Sequence, residues 1–132
     1  VSYGEEGLKK NAHEFYFVNN TVINDASKDS RFIRLQNGTQ TAKIVNNVFA
    51  GPGQLLEGVA ELRNNYVAEK LEFVAYERND YRLRPGSAAI DAAVDAGEAN
   101  GVKLLPTYQY GAPLQAIPRQ TMRRLDIGAF EQ

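Results

Sequence analysis

Apolar positions along this chain gather around a repeated polar pair. Phe17-Val18-Asn19-Asn20-Thr21-Val22 is followed by Lys43-Ile44-Val45-Asn46-Asn47-Val48-Phe49 and by Leu62-Arg63-Asn64-Asn65-Tyr66-Val67. A degraded copy follows as Glu77-Arg78-Asn79-Asp80-Tyr81-Arg82. The second positions of the pairs are 47−20 = 27, 65−47 = 18 and 80−65 = 15 residues apart, irregular but near the length of one turn of a repeat architecture. Phe17, Ile44 and Leu62 lie two before the first Asn, and Val22, Phe49 and Val67 lie two after the second. Within each copy these two apolar positions are 22−17 = 5 residues apart, an odd separation that places them on opposite faces of a flat strand. Both reach one core only if the chain bends at the pair, and Asn tolerates the left-handed conformation such a bend requires. Stacked coils would then align Asn19, Asn46 and Asn64, and likewise Asn20, Asn47 and Asn65, so that their amides can bond along the stack.

The remaining pattern fits short strands between turns. Residues 1–12 are polar and read as an N-terminal arm; 13–84 read as coils and 85–132 as a C-terminal cap. Glu14–Val18 and Arg31–Gln36 are dense in aromatic and β-branched residues, with Ile33 and Leu35 facing in and Arg34 and Gln36 facing out. Asn37-Gly38 suits either a hairpin pairing 31–36 with 41–45 or a corner between two strands of one coil, and the repeat favours the corner. Gly51-Pro52-Gly53 is a turn, Leu71–Tyr76 is a further strand, and Pro85-Gly86 ends the coils. Ser87 and Gly97 predict the start and stop of a short helix over 88–96. A wrapping loop over 98–125 and a last strand over Ile127–Phe130 follow.

The Asn-Asn coils resemble the right-handed parallel β-helix of the pectate-lyase-like class. Leu83-Arg84-Pro85-Gly86-Ser87-Ala88-Ala89-Ile90-Asp91-Ala92 and Asp126-Ile127-Gly128-Ala129-Phe130-Glu131 resemble the C-terminal ending of many bacterial secreted β-helix proteins. Ala89 stands where that ending usually has Pro, Ala93 where it has Gly, and Phe130 where it has Tyr. The resemblance implies an all-β fold, an extracellular, cell-surface or periplasmic location, and a parent of carbohydrate-active type. It carries no active-site residues over.

Composition narrows the partners. The chain has 132 residues, 43% hydrophobic and 23% charged, an ordinary globular balance sufficient for one domain with a modest core. A net charge of −1 gives no general attraction to nucleic acid. No apolar run reaches the roughly 18 residues that would span a bilayer, so no membrane span is expected. Cys is absent, so thiolate chemistry and disulfides are excluded. The chain starts at Val1, and a very apolar strand, Phe15–Val18, follows the polar arm; upstream coils or another chain are expected to cover that edge.

Candidate chemistry is sparse. His13 is the single His and stands beside no recognisable nucleophile. Asp91 and Asp95 fall at i, i+4 on the expected helix, and Asp25 and Asp29 share a loop; both pairs suit solvated faces. No zinc spacing or EF-hand loop is present, so no metal or other cofactor is expected for this chain, and calcium is left to a parent protein. Arg34, Lys43 and Arg63 are expected on outward strand positions, with Arg82 in a related one, where a row of cations could meet an acidic polysaccharide. Arg119, Arg123 and Arg124 are expected to pair with Asp126 and Glu131. Asn19-Asn20-Thr21 and Asn37-Gly38-Thr39 match the glycosylation pattern. Three functions stay open: structural coils and cap of a larger β-helix protein, part of a polysaccharide lyase or glycoside hydrolase, and a carbohydrate-binding or adhesion module.

Overall fold

The computed structural model describes residues 1–8, 13–120 and 123–132. The part of the expected arm that falls on 9–12 lies outside the described residues. Among the described residues nine short strands come first: β1 (Ser2–Tyr3), β2 (Glu14–Val18), β3 (Thr21–Ile23), β4 (Arg31–Leu35), β5 (Thr41–Val45), β6 (Val48–Ala50), β7 (Gln54–Glu57), β8 (Glu61–Arg63) and β9 (Tyr66–Ala68). They form three parallel sheets, β1-β4-β7, β2-β5-β8 and β3-β6-β9. The chain thus passes three times through the same three sheets, each pass laying one rung on the last. The fold is all-β, and its arm is not wholly free, since Ser2 and Tyr3 pair with Arg34 and Leu35.

Register follows the Asn repeat. Phe17, Ile44 and Leu62 stand in one column, and Val22, Phe49 and Val67 in another. Ile33, Leu35, Ile44 and Phe49 from all three sheets meet in one core, and Phe32 crosses Phe49 edge-to-face at 5.3 Å. Asn37-Gly38 is a corner and not a hairpin, because β4 and β5 belong to different sheets.

Several expected elements differ. The degraded fourth copy keeps its left-handed Asn79 (φ 60°), but the strands flanking it, β10 (Phe73–Ala75) and β11 (Asp80–Leu83), pair antiparallel. The parallel rungs therefore end at Ala68 and not at residue 84. No helix forms over 88–96. Asp91 turns left-handed at φ 53°, and the amides of 91, 93 and 94 bond to Asp126 Oδ1, the Leu125 carbonyl and Asn46 Oδ1 instead of to a preceding turn. Among its described residues the wrapping loop contains two antiparallel hairpins, β12 (Glu98–Ala99) with β13 (Val102–Lys103) and β14 (Tyr108–Gly111) with β15 (Gln115–Pro118). Ile127–Phe130 is not a strand, because Gly128 at φ +101° breaks the extended run.

The C-terminal half lies beside the stack, not over its end. Val48, Ala50 and Ala68 point outward from β6 and β9 and join Phe73, Tyr76, Leu83, Ala89, Ala93 and Ile127 in a second core. The small side chains at 50 and 68 let this cladding approach closely. The last rung stays open: Leu62 is 50% exposed and Val67 68%, although both continue inward-facing columns. The expected cap is thus a lateral clamp.

Candidate functional site

The Asn corner is the most organised polar feature. Asn19, Asn46 and Asn64 all adopt left-handed φ, at 53°, 57° and 53°. Their side chains form an outer ladder: Asn46 Nδ2 donates to Asn19 Oδ1 at 3.4 Å and Asn64 Nδ2 to Asn46 Oδ1 at 2.7 Å. The same amides reach the clamp, with Asn19 donating to the Asp126 carbonyl (2.9 Å), Asn46 to that of Val94 (2.7 Å) and Asn64 to that of Ala92 (2.9 Å). The second Asn of each pair makes an inner ladder. Asn47 Oδ1 accepts from the Asn20 amide at 2.8 Å, and Asn65 Oδ1 from the Asn47 amide at 3.0 Å. Asn47 is fully buried and donates to the Phe17 carbonyl at 2.8 Å, while Asn65 donates to that of Ile44 at 2.7 Å. One repeated dipeptide therefore both zips successive rungs and anchors the clamp.

The expected row of cations does not form. Arg34 lies on the β1-β4-β7 sheet and pairs with Glu57 (3.3 Å) and Glu5 (3.5 Å). Lys43 lies on the β2-β5-β8 sheet between Tyr16 and Glu61 in register, and Arg63 holds Glu61 at 3.1 Å. The corner at Asn37-Gly38 sends Arg34 and Lys43 to different sheets, which strand alternation alone cannot reveal. Arg82 sits on antiparallel β11 and pairs with Asp80 at 2.8 Å. These half-exposed pairs contribute about 0–1 kcal/mol each.

The acids do not converge either. Asp25 accepts from the Tyr76 hydroxyl at 2.6 Å and pairs with Lys70 at 3.1 Å, which together hold its carboxyl below the usual range. Asp29 is exposed and its carbonyl accepts from Arg31 at 2.6 Å. Asp91 and Asp95 share no helix face; Asp95 Oδ1 accepts from the Gly97 amide at 2.8 Å. His13 enters the bonding through its backbone, its carbonyl accepting from Gln40 at 2.9 Å. Asn19 is buried and bonded to the clamp, so the first glycosylation pattern is closed in the folded chain, whereas Asn37 is exposed. Among the described residues no group of three His, Cys, Asp or Glu is placed to hold a metal ion.

A buried ionic node at the end of the chain was only half legible. Arg119 pairs with Glu131 at 3.3 Å, their side chains 2% and 6% exposed, while Arg123 and Arg124 are exposed and pair with no carboxylate among the described residues. Glu131 Oε1 accepts from the Asp126 amide at 2.7 Å, and Asp126 in turn accepts from the amides of Asp91 (2.7 Å) and Gln132 (2.8 Å). Desolvation pushes both carboxyls upward, partly offset by these donors. Elevated carboxyls in a cleft can mark acid–base chemistry, but these oxygens face backbone amides and so serve as a lock on the clamp.

Between the Asn corner and the clamp runs a groove of about 490 Å³, lined by Val94, Leu104 and Leu105, by the cations Lys103, Arg123 and Arg124 and by the carboxylates Asp95 and Glu98. Comparison of the chain with family models, with curated proteins and with solved structures finds no match.

Proposed function

We propose that this chain is a structural segment of a right-handed parallel β-helix of the pectate-lyase-like class. In this reading it belongs to a secreted protein of carbohydrate-active type, located outside the cell, at its surface or in the periplasm, and carries no turnover of its own. The observation that supports it is the double use of the Asn pairs. The outer amides are committed to carbonyls of the clamp and the inner ones to carbonyls of neighbouring rungs. Polar groups at the corner thus hold coils and clamp together, and the outward ion pairs of Arg34 and Arg63 close on local carboxylates. Polysaccharide cleavage needs a base, an acid and a group that stabilises developing charge around one reacting atom. The test is incubation of the purified chain with alginate, pectate and chondroitin, following unsaturated products and reducing ends. No turnover above the buffer rate is expected; reproducible turnover abolished by Lys43→Ala or Arg63→Ala would establish the enzymatic reading instead.

A second reading, binding of an acidic oligosaccharide, is favoured by Arg123 and Arg124, which line the groove without an ion-pair partner among the described residues, while Lys103 there stands opposite Glu98. Titration calorimetry with oligogalacturonate supports it if binding disappears in the Arg123→Ala/Arg124→Ala double variant.

A further inference from the structure

The two ends of the stack are chemically complementary at the Asn corner. Each rung offers a fixed set of groups to the rung that follows it. The amide of Asn19 donates to the Val45 carbonyl at 3.1 Å, and that of Asn46 to the Arg63 carbonyl at 3.2 Å. The amides of Asn20 and Asn47 donate to the next Asn Oδ1, at 2.8 Å and 3.0 Å. The carbonyls of Phe17 and Ile44 accept from the next inner Asn, and those of Asn20 and Asn47 accept from the amides of Val48 and Tyr66, both at 2.8 Å. On the third rung the same positions are the amides of Asn64 and Asn65, the carbonyls of Leu62 and Asn65, and Asn64 Oδ1. The repeat aims all of them past the last rung, where no strand follows among the described residues.

The first rung carries the counterparts, with Val18, Asn19 and Asn20 lining a cleft that the β14-β15 hairpin borders. The Val18 carbonyl and Asn20 Oδ1 occupy the acceptor positions. The Thr21 amide, Asn20 Nδ2 and the second proton of Asn19 Nδ2 occupy the donor positions; the first proton of Asn19 is given to Asp126. Asn20 Nδ2 already donates to the Val18 carbonyl and Asn47 Oδ1, as Asn47 Nδ2 does to the Val45 carbonyl and Asn65 Oδ1 while also reaching the preceding rung. The apolar columns match as well. Leu62 would stand against Phe17 and Val67 against Val22, continuing the columns already running through Ile44 and Phe49.

We propose that the open third rung, β7-β8-β9, binds the first rung of a second copy of this chain, head to tail and in parallel register. The occupant is a second copy because this chain carries both halves of the match, five polar pairs and two apolar ones, at the same spacing. A partner joined third rung to third rung would bring like edges together and leave donors facing donors at the corner. The contact is heterologous and does not close on itself, so it generates an open series of species, not a single dimer. The proposal rests on the coil part of the proposed function and is independent of whether the chain turns over polysaccharide.

Sedimentation velocity of the 132-residue chain across a concentration series tests it. The expected result is a progressive series of species for the wild type. Val67→Lys and Leu62→Lys, which place a charge on exposed last-rung positions, should each weaken association about tenfold or more with an unchanged circular dichroism spectrum. A tagged Val67→Lys chain keeps its first rung intact, so it should still co-elute with untagged wild type. A wild type that stays monomeric up to about 1 mM overturns the proposal. So does association of both Lys variants as tight as that of the wild type, or a limiting dimer that excludes the tagged Val67→Lys chain.

Discussion

Replacing Asn47 by Ala tests the inner ladder where it is most enclosed. Asn47 has no exposed surface; its Oδ1 accepts from the Asn20 amide at 2.8 Å, and its Nδ2 donates to the Phe17 carbonyl at 2.8 Å and to Asn65 Oδ1 at 2.9 Å. After truncation Asn65 Oδ1 keeps the Asn47 amide, and the Val45 carbonyl keeps the Asn19 amide. The Asn20 amide loses its partner, while the Phe17 carbonyl keeps its place in the β2-β5 ladder. One orphaned buried polar group and the lost side-chain bonds together cost about 2–4 kcal/mol. That is a large share of the roughly 5–15 kcal/mol available to a domain of this size. Asn65→Ala is the control. It removes the same kind of bonds on the open rung, where water can replace them, and should cost about 1 kcal/mol. Urea unfolding followed by circular dichroism, with the two variants compared at equal m-value, measures both losses. A loss under about 1 kcal/mol for Asn47→Ala, or equal losses at 47 and 65, would refute the ladder as a source of stability.

Other consequences follow from the clamp and the turns. Desolvation raises the folded-state carboxyls of Asp126 and Glu131, so burying them favours the protonated form, and their contribution falls as pH rises from the ordinary values of 3.8 and 4.5 through the raised ones. Wild-type stability minus that of Glu131→Gln should therefore decrease with rising pH across that window, measured by urea unfolding at several pH values; a difference that increases would contradict the burial argument. The opposite sign applies to Asp25, whose lowered carboxyl adds stability that is lost as pH falls, so Tyr76→Phe should reduce that acid sensitivity. Gly51→Ala should cost about 2 kcal/mol or more in thermal unfolding, because φ is +104° and the new Cβ would run into the Asn24 carbonyl. Arg34→Ala should change stability by less than about 1 kcal/mol, as its ion pairs are half exposed.

The corner was legible in the sequence because one residue type met two demands at once. Asn accepts left-handed φ and carries an amide that can both donate and accept, and the flanking Phe17–Val22, Ile44–Phe49 and Leu62–Val67 spacing has one sensible geometry. The fourth copy misled because Asn79 keeps the bend while the pairing direction of its flanks depends on a distant surface, the outer face of β6 and β9. The helix expected over 88–96 failed for a related reason. Its local start and stop signals are real, but Asp126, Leu125 and Asn46 offer the amides of Asp91, Ala93 and Val94 better placed partners. The cation row failed because outward direction can be read from alternation, whereas membership of a sheet depends on where the corners fall. Arg119 and Glu131 were legible as a pair, but not the enclosure that gives the pair its role.

The parallel stacking of the three passes is the claim on which the rest depends, and cross-strand nuclear Overhauser contacts measured on dilute labelled protein test it most directly. Backbone contacts are expected to link Tyr16 to Lys43 and Lys43 to Glu61, with no ladder joining 31–36 to 41–45. A continuous antiparallel ladder across Asn37-Gly38, placing Arg34 opposite Thr41, would contradict it.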